Sequence, residues 1–244
     1  MNATLAVLPS PQVSQTRALT GFLRHLPALE RAGEDALVAL AERAELRRFR
    51  RGSELWAAGT AANEVYWIRS GIVWIHQGRA AGREVSIGYF GRGYLLGLHP
   101  QGGAGLRVDD ASVHEDLAVI AVRRSAFDQW LASCPSIAPA VVSAASETVA
   151  RMQARLALIG LHGAKARLAG LLLELGRTFG VRDSRGVIID LRLTHRELAQ
   201  LIGATRETVS VSIVEMRNEG LIDTEQRRVI LVDAAAVQAI AERG

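Results

Sequence analysis

The hydrophobic rhythm of the chain changes several times along its 244 residues. Residues 1–20 hold Pro9, Pro11 and several Ser, Thr and Gln without an apolar period, and they read as a flexible N-terminal arm. Between Leu23 and Leu46, the positions Leu26, Leu29, Leu37, Leu40 and Ala44 recur at helical spacing and predict one or two short helices. From Phe49 to about Val122 the pattern becomes a series of short β-rich runs, at 65–68, 72–75, 85–87 and 119–122, punctuated by frequent glycines. Short strands with glycine at the turns predict an antiparallel barrel or roll.

A long helical segment is predicted over 137–161. Val142, Ala145, Val149, Met152, Leu156 and Ile159 are spaced 3, 4, 3, 4, 3, the a/d seam of a coiled coil. Such a seam suits a second copy of the helix and predicts a homodimer; a helix packed in the core of its own chain is the alternative. Ala164–Phe179 is a further amphipathic helix, 180–186 a polar loop, and 187–191 a short strand.

The segment from Thr194 to Ile222 carries the chemistry. Thr194-His195-Arg196-Glu197 is a capping box, in which hydroxyl and carboxylate each satisfy an amide at the helix start. Leu198, Ala199, Leu201 and Ile202 give an apolar face, Gly203 stops the helix, and Thr205 can cap a second helix from Arg206 to Glu219. Two helices joined so closely need a small residue at their contact, which Ala199 supplies, and Val209 packs behind the second helix. In a helix-turn-helix the first turns of the second helix enter the major groove, which assigns base reading to Arg206, Glu207 and Ser210. Arginine bridges guanine O6 and N7, and glutamate accepts from cytosine N4. Thr194, Arg196, Thr205 and Thr208 lie where they would hold phosphates. Leu221-Ile222 and Val229–Val232 frame a polar turn with Arg227 and Arg228, a hairpin wing whose arginines would meet the DNA backbone. A plain helical hairpin is the bland alternative.

Composition then narrows the classes. The net charge of +4 suits a nucleic-acid partner, but residues 161–244 hold 12 basic and 11 acidic groups, so bulk charge does not locate the function. One cysteine, Cys134, excludes an internal disulfide and a four-cysteine metal site. The six histidines have no ligand spacing, and His76, alone on a predicted strand, reads as structural and not as a haem ligand. No catalytic constellation, P-loop or metal motif is present, so neither an enzyme nor a metal site is expected. No apolar run is long enough to span a bilayer and no signal peptide is recognisable, so no membrane partner and a cytoplasmic location are expected.

These residues resemble the cyclic-AMP receptor protein / fumarate–nitrate regulator (CRP/FNR) superfamily over about residues 21–233. The resemblance rests on "LTHRELAQLIGATRETVSVSIVEMRNEGLI" for the helix-turn-helix, and on "GSELWAAGTAANEVYWIRSGIVWI" (52–75) and "FGRGYLLG" (90–97) for a cyclic-nucleotide-binding β-roll. It implies an α+β fold with an arm over 1–20, a β-roll sensor over 21–136, a dimerisation helix over 137–161 and a winged helix-turn-helix over 162–244. It also implies a transcription regulator, expected as an activator, that binds a pseudo-palindromic operator as a dimer and meets RNA polymerase; residues 180–186 are a candidate contact.

Two departures qualify the resemblance. Nucleotide-binding members have a Gly-Glu pair and an Arg-Ser pair around ribose and phosphate. Here Leu98 follows Gly97, and Val108 follows Arg107. Thr148, Met152 and Gln153 stand where the purine would be touched. Gly97, Leu98, Arg107 and Thr148 are therefore the residues of a degenerate pocket, and cyclic AMP in the usual mode is not expected. The other departure is Val211, which stands in the base-reading set where many members have an arginine. Ser212, polar where an apolar residue is usual, either faces DNA or is satisfied internally. A ligand-sensing module with non-specific DNA or protein binding is the alternative reading.

Overall fold

The computed structural model describes residues 11–26, 29–30, 32–78, 85–98, 105–161 and 163–243. The chain packs as two units, one reaching to Trp74 and resuming over Tyr89–Glu147, the other holding Ile75–Gly88 and the chain from Thr148 onward.

Two helices, α1 (Pro11–Leu23) and α2 (Glu34–Ala41), precede the strands β1 (Ala44–Phe49), β2 (Glu54–Trp56), β3 (Glu64–Gln77), β4 (Val85–Phe90), β5 (Leu95–Leu96) and β6 (Asp110–Arg123). The sheet runs β1-β6-β3-β4, with β2 paired to β6 and β5 to β3. β1 and β6 are antiparallel, from Ala44 opposite Val122 to Phe49 opposite Leu117. Gly71 on β3 has φ 86°, and a Cβ there would come within 2.2 Å of the Asp116 carbonyl oxygen, so the two backbones meet where only glycine fits. After β6 come α3 (Arg124–Ser133) and a short 3₁₀ turn, Pro135–Ile137. Leu23, Leu40, Trp67, Ile120, Phe127 and Trp130 form the centre of this unit's core. The indole of Trp130 donates to the Ala36 carbonyl at 2.7 Å, so its one polar atom is satisfied inside.

The arm expected over 1–20 is corrected where it can be seen: 11–20 are helical in α1, and 1–10 lie outside the described residues. Leu19, Phe22 and Leu23 are buried at i, i+3 and i+4 and fix the helix to the core, with Leu26 buried in the turn that follows. Pro11 opens that helix, at a position where its missing N–H costs nothing. Ala44 to Leu46 belong to β1 rather than to a helix, because pairing with β6 overrides their helical spacing.

The helix α4 (Ala138–Leu161) is followed by α5 (Ala164–Phe179), β7 (Gly180–Asp183), β8 (Gly186–Ile189), α6 (His195–Ile202), α7 (Arg206–Asn218), β9 (Ile222–Glu225), β10 (Arg228–Leu231) and α8 (Ala234–Arg243). The second sheet runs β7-β8-β10-β9. The loop expected over 180–186 is a β-hairpin, Val181 facing Ile188 and Asp183 facing Gly186. All four residues of β7 are exposed, so this edge strand has no apolar alternation by which to recognise it. Leu168, Leu172, Val209, Met216, Ile230 and Val237 are buried in this unit. No helix among the described residues is long and apolar enough to cross a membrane.

Candidate nucleic-acid interface

Sequence dictates the start of α6 directly. The Thr194 hydroxyl accepts from the Glu197 amide at 3.2 Å, and Glu197 Oε2 accepts from the Thr194 amide and hydroxyl, both at 2.7 Å. The capping box is complete, which leaves the Thr194 side chain fully engaged and poorly placed as a phosphate ligand. Thr194→Ala is expected to remove about 1 kcal/mol of stability. Urea unfolding checks this, with a lower midpoint at an unchanged slope. Gly203 closes α6 in the left-handed conformation, φ 62° and ψ 43°, and turns the chain into the next helix.

Thr205 caps α7, its hydroxyl accepting from the Thr208 amide at 3.2 Å and lying 2.9 Å from the Thr208 hydroxyl. Val209, Ser212, Ile213 and Met216 are the buried face of α7. Glu207 and Val211 are exposed on the opposite side, and Arg206 is exposed at the helix start on the flank of Ile213. Three of the four residues assigned to base reading thus stand exposed on one helix end. Ser210 differs. Its hydroxyl donates to the Arg206 carbonyl at 2.9 Å and sits 2.7 Å from His195 Nδ1, so the imidazole donates and the serine is engaged on both sides. His195 therefore ties the first helix to the second, a role the sequence signals only as a polar residue at the first position of α6. Ser212 is buried and does not face outward.

The phosphate set divides in the same way. Arg196, Thr205, Thr208 and Arg227 are not buried. Arg228 is not available as expected: it pairs with Asp190 at 2.8 Å, because its place at the start of β10 turns it toward the chain entering α6. The wing turn is made by Gln226 and Arg227, both with positive φ (49° and 66°), the two-residue geometry that matches strand twist. Between the wing and the starts of α6 and α7 lies a groove of about 560 Å³, edged by His195, Arg196, Arg206, Arg227 and Arg228 with Glu225 as its acidic member. The exposed guanidinium groups of Arg196, Arg206 and Arg227 suit a polyanionic backbone.

On α4, Val142, Val149, Met152 and Leu156 are all exposed, Leu156 at 69%. Ala145 is half-buried, and the side chain of Ile159 lies outside those described. The seam thus presents large apolar side chains to solvent along most of its length, as a face awaiting a partner helix does.

The expected ligand pocket has a different character. Arg107 is buried, donates from Nη2 to the Glu64 carbonyl at 2.5 Å, and lies over the Trp56 ring at 4.4 Å. Burial pulls its pKa down from the ordinary guanidinium value. Trp56 in turn stacks on Tyr66, with ring centroids 5.7 Å apart. The Tyr66 hydroxyl donates to Glu64 at 2.8 Å, and Arg47 grips both Glu64 oxygens at 2.8 Å. Burial pushes the Glu64 carboxyl upward, but the Arg47 and Tyr66 hydrogen bonds outweigh it and hold the group below its usual range. A Cβ on Gly97 would meet the Arg107 guanidinium at 2.8 Å, so the protein's own arginine fills the space beside that glycine. Leu98 packs against the core, and its carbonyl accepts from Arg124 at 2.9 Å. Gly97 and Arg107 therefore come together, Leu98 turns inward, and Thr148 belongs to α4 in the second unit. Residues 99–104 lie outside the described residues.

An exposed, doubly capped helix pair with a β-wing defines a DNA-binding protein of the winged helix-turn-helix class. Comparison with known families agrees on both halves. Residues 46–134 match the cyclic nucleotide-binding domain, and residues 166–240 match the Crp-like helix-turn-helix domain. The chain belongs to the CRP/FNR superfamily of transcription regulators. It is 28% identical over 199 residues to a CRP-like cAMP-activated global transcriptional regulator of Mycobacterium tuberculosis, covering 82% of this chain and 89% of the relative. A solved CRP-family transcriptional regulator from Thermus thermophilus shares 26% identity with a TM-score of 0.68, covering 81% of this chain and 97% of the other. FixK2 from Bradyrhizobium japonicum has the same fold, with a TM-score of 0.72 at 20% identity over 81% of this chain and 96% of the other.

Proposed function

We propose that this DNA-binding regulator works in the cytoplasm as a homodimer on a pseudo-palindromic operator, as an activator that meets RNA polymerase and does not hold cyclic AMP in the family's usual mode. The observation that carries the DNA reading is the start of α7, where Arg206 and Glu207 stand exposed in the first turn of a capped helix. Pairing through α4 would set two such helices about 34 Å apart, on successive major grooves. The open apolar seam of α4 supports the pairing. Against cyclic AMP stands the sealed arginine: Arg107 is committed to the Glu64 carbonyl and Trp56, and no carboxylate follows Gly97. The Mycobacterium tuberculosis relative carries cAMP activation in its name, and this chain departs from it in that function.

Selection of bound sequences from random DNA, with and without cyclic AMP, tests both halves. One two-fold symmetric sequence should emerge, with half-sites about one helical turn apart and unchanged by the nucleotide. Enrichment of no sequence would refute specific binding. A site that appears only with cyclic AMP would overturn nucleotide independence.

A further inference from the structure

The outward face of α7 holds a feature that the reading of Arg206 and Glu207 leaves unused. Glu207, Val211, Val214 and Asn218 follow one another at i, i+4, i+7 and i+11 and form one stripe directly opposite the buried face. Within that stripe Val211 is 58% and Val214 53% exposed. Along the helix, Val211 lies about 7.5 Å beyond Arg206. Val214 stands almost one turn further.

A single exposed apolar side chain needs no explanation, but two at i and i+3 in the middle of a polar stripe on a recognition helix do. β-Branched residues are among the weaker helix formers at solvent-facing positions, so the pair does not serve the helix itself. Valine has no side-chain donor and no side-chain acceptor. In the major groove the feature it complements is the C5 methyl group of thymine, whereas cytosine there shows an amino group that an apolar neighbour would leave unpaired.

We infer that Val211 and Val214 form an apolar reader of thymine methyl groups, which sets the sequence preference of each half-site beyond the bases met by Arg206 and Glu207. This rests on the proposed reading of α7 as the base-reading helix. Thymine is the stated occupant because the patch is continuous with the exposed Arg206–Glu207 end of the same helix.

The test replaces each thymine of the selected operator in turn by deoxyuridine, which pairs identically and lacks only the methyl group. Wild-type protein, Val211→Ala, Val214→Ala and the double variant are titrated against each duplex. Alanine at these exposed positions favours the helix, and circular dichroism confirms folding. Wild type should bind about fourfold more weakly for each contacted methyl removed, and the double variant should bind thymine and uracil duplexes alike. If wild type prefers its operator over random DNA yet ignores every thymine-to-uracil change, the methyl reading falls and base reading by α7 stands. Retention of the discrimination by the double variant also overturns it. If wild type shows no sequence preference at all, both readings fall together.

Discussion

Arg206→Ala should lower affinity for the selected operator by about 1–3 kcal/mol per half-site and relax the requirement for one base in each. Arg206 opens α7, is exposed, and has no carboxylate holding it among the described residues, so its guanidinium is preorganised only by the helix that carries it. A bidentate pair with guanine would be lost without disturbing the fold, since Arg206 contributes to α7 mainly through its carbonyl, which accepts from Ser210. Titration against the operator and its single-base variants separates the two possible roles. Loss of affinity concentrated on one base marks a reader; a uniform loss across sequences marks a phosphate contact; no loss removes Arg206 from the interface.

The larger effect is expected from the dimer seam. Leu156→Lys places a charge at a position that is 69% exposed in the single chain and buried if two copies of α4 pair. The isolated chain should fold normally, because the substitution sits in solvent there. The dimer should not form, since an unpaired buried charge costs several kcal/mol. Sedimentation equilibrium should then report one chain where wild type reports two. Operator affinity should fall by orders of magnitude toward that of a single half-site, because the second half-site is no longer tethered to the first. A Leu156→Lys protein that remains dimeric would place the interface elsewhere.

Much of this was legible in the sequence, for reasons that differ by element. The capping box, Gly203 and the Thr205 cap are local devices, set by neighbours three or four residues away, and the observed α6 and α7 follow them closely. The strands of the roll were legible from their apolar runs, though not their lengths: β3 and β6 each run for 14 residues, where the runs mark only short pieces. What the sequence hid was decided by tertiary contact. Arg228 reads as a free wing cation until Asp190 is found beside it, and Ser210 reads as a base reader until His195 is seen 2.7 Å away. The ten-residue helices α3 and α8 bury only two residues each, Phe127 with Trp130 and Val237 with Ala241, too few to mark a helical period in the sequence. Arg107 is the clearest case. Its position was legible by resemblance, but its commitment to Trp56 and Glu64 depends on residues more than 40 positions away.

The ion pairs of the C-terminal unit have a further consequence, for the way the protein moves through a genome. Lys165 is held by Glu215 and Glu219, Arg185 by Asp183 and Glu225, Arg217 by Asp223 and Arg228 by Asp190. Cations already neutralised within the protein displace few counterions from DNA, and sequence-independent affinity comes almost entirely from that displacement. With those four cations engaged within the protein, adhesion to random DNA would fall to other basic residues, the exposed Arg196, Arg206 and Arg227 of the groove among them.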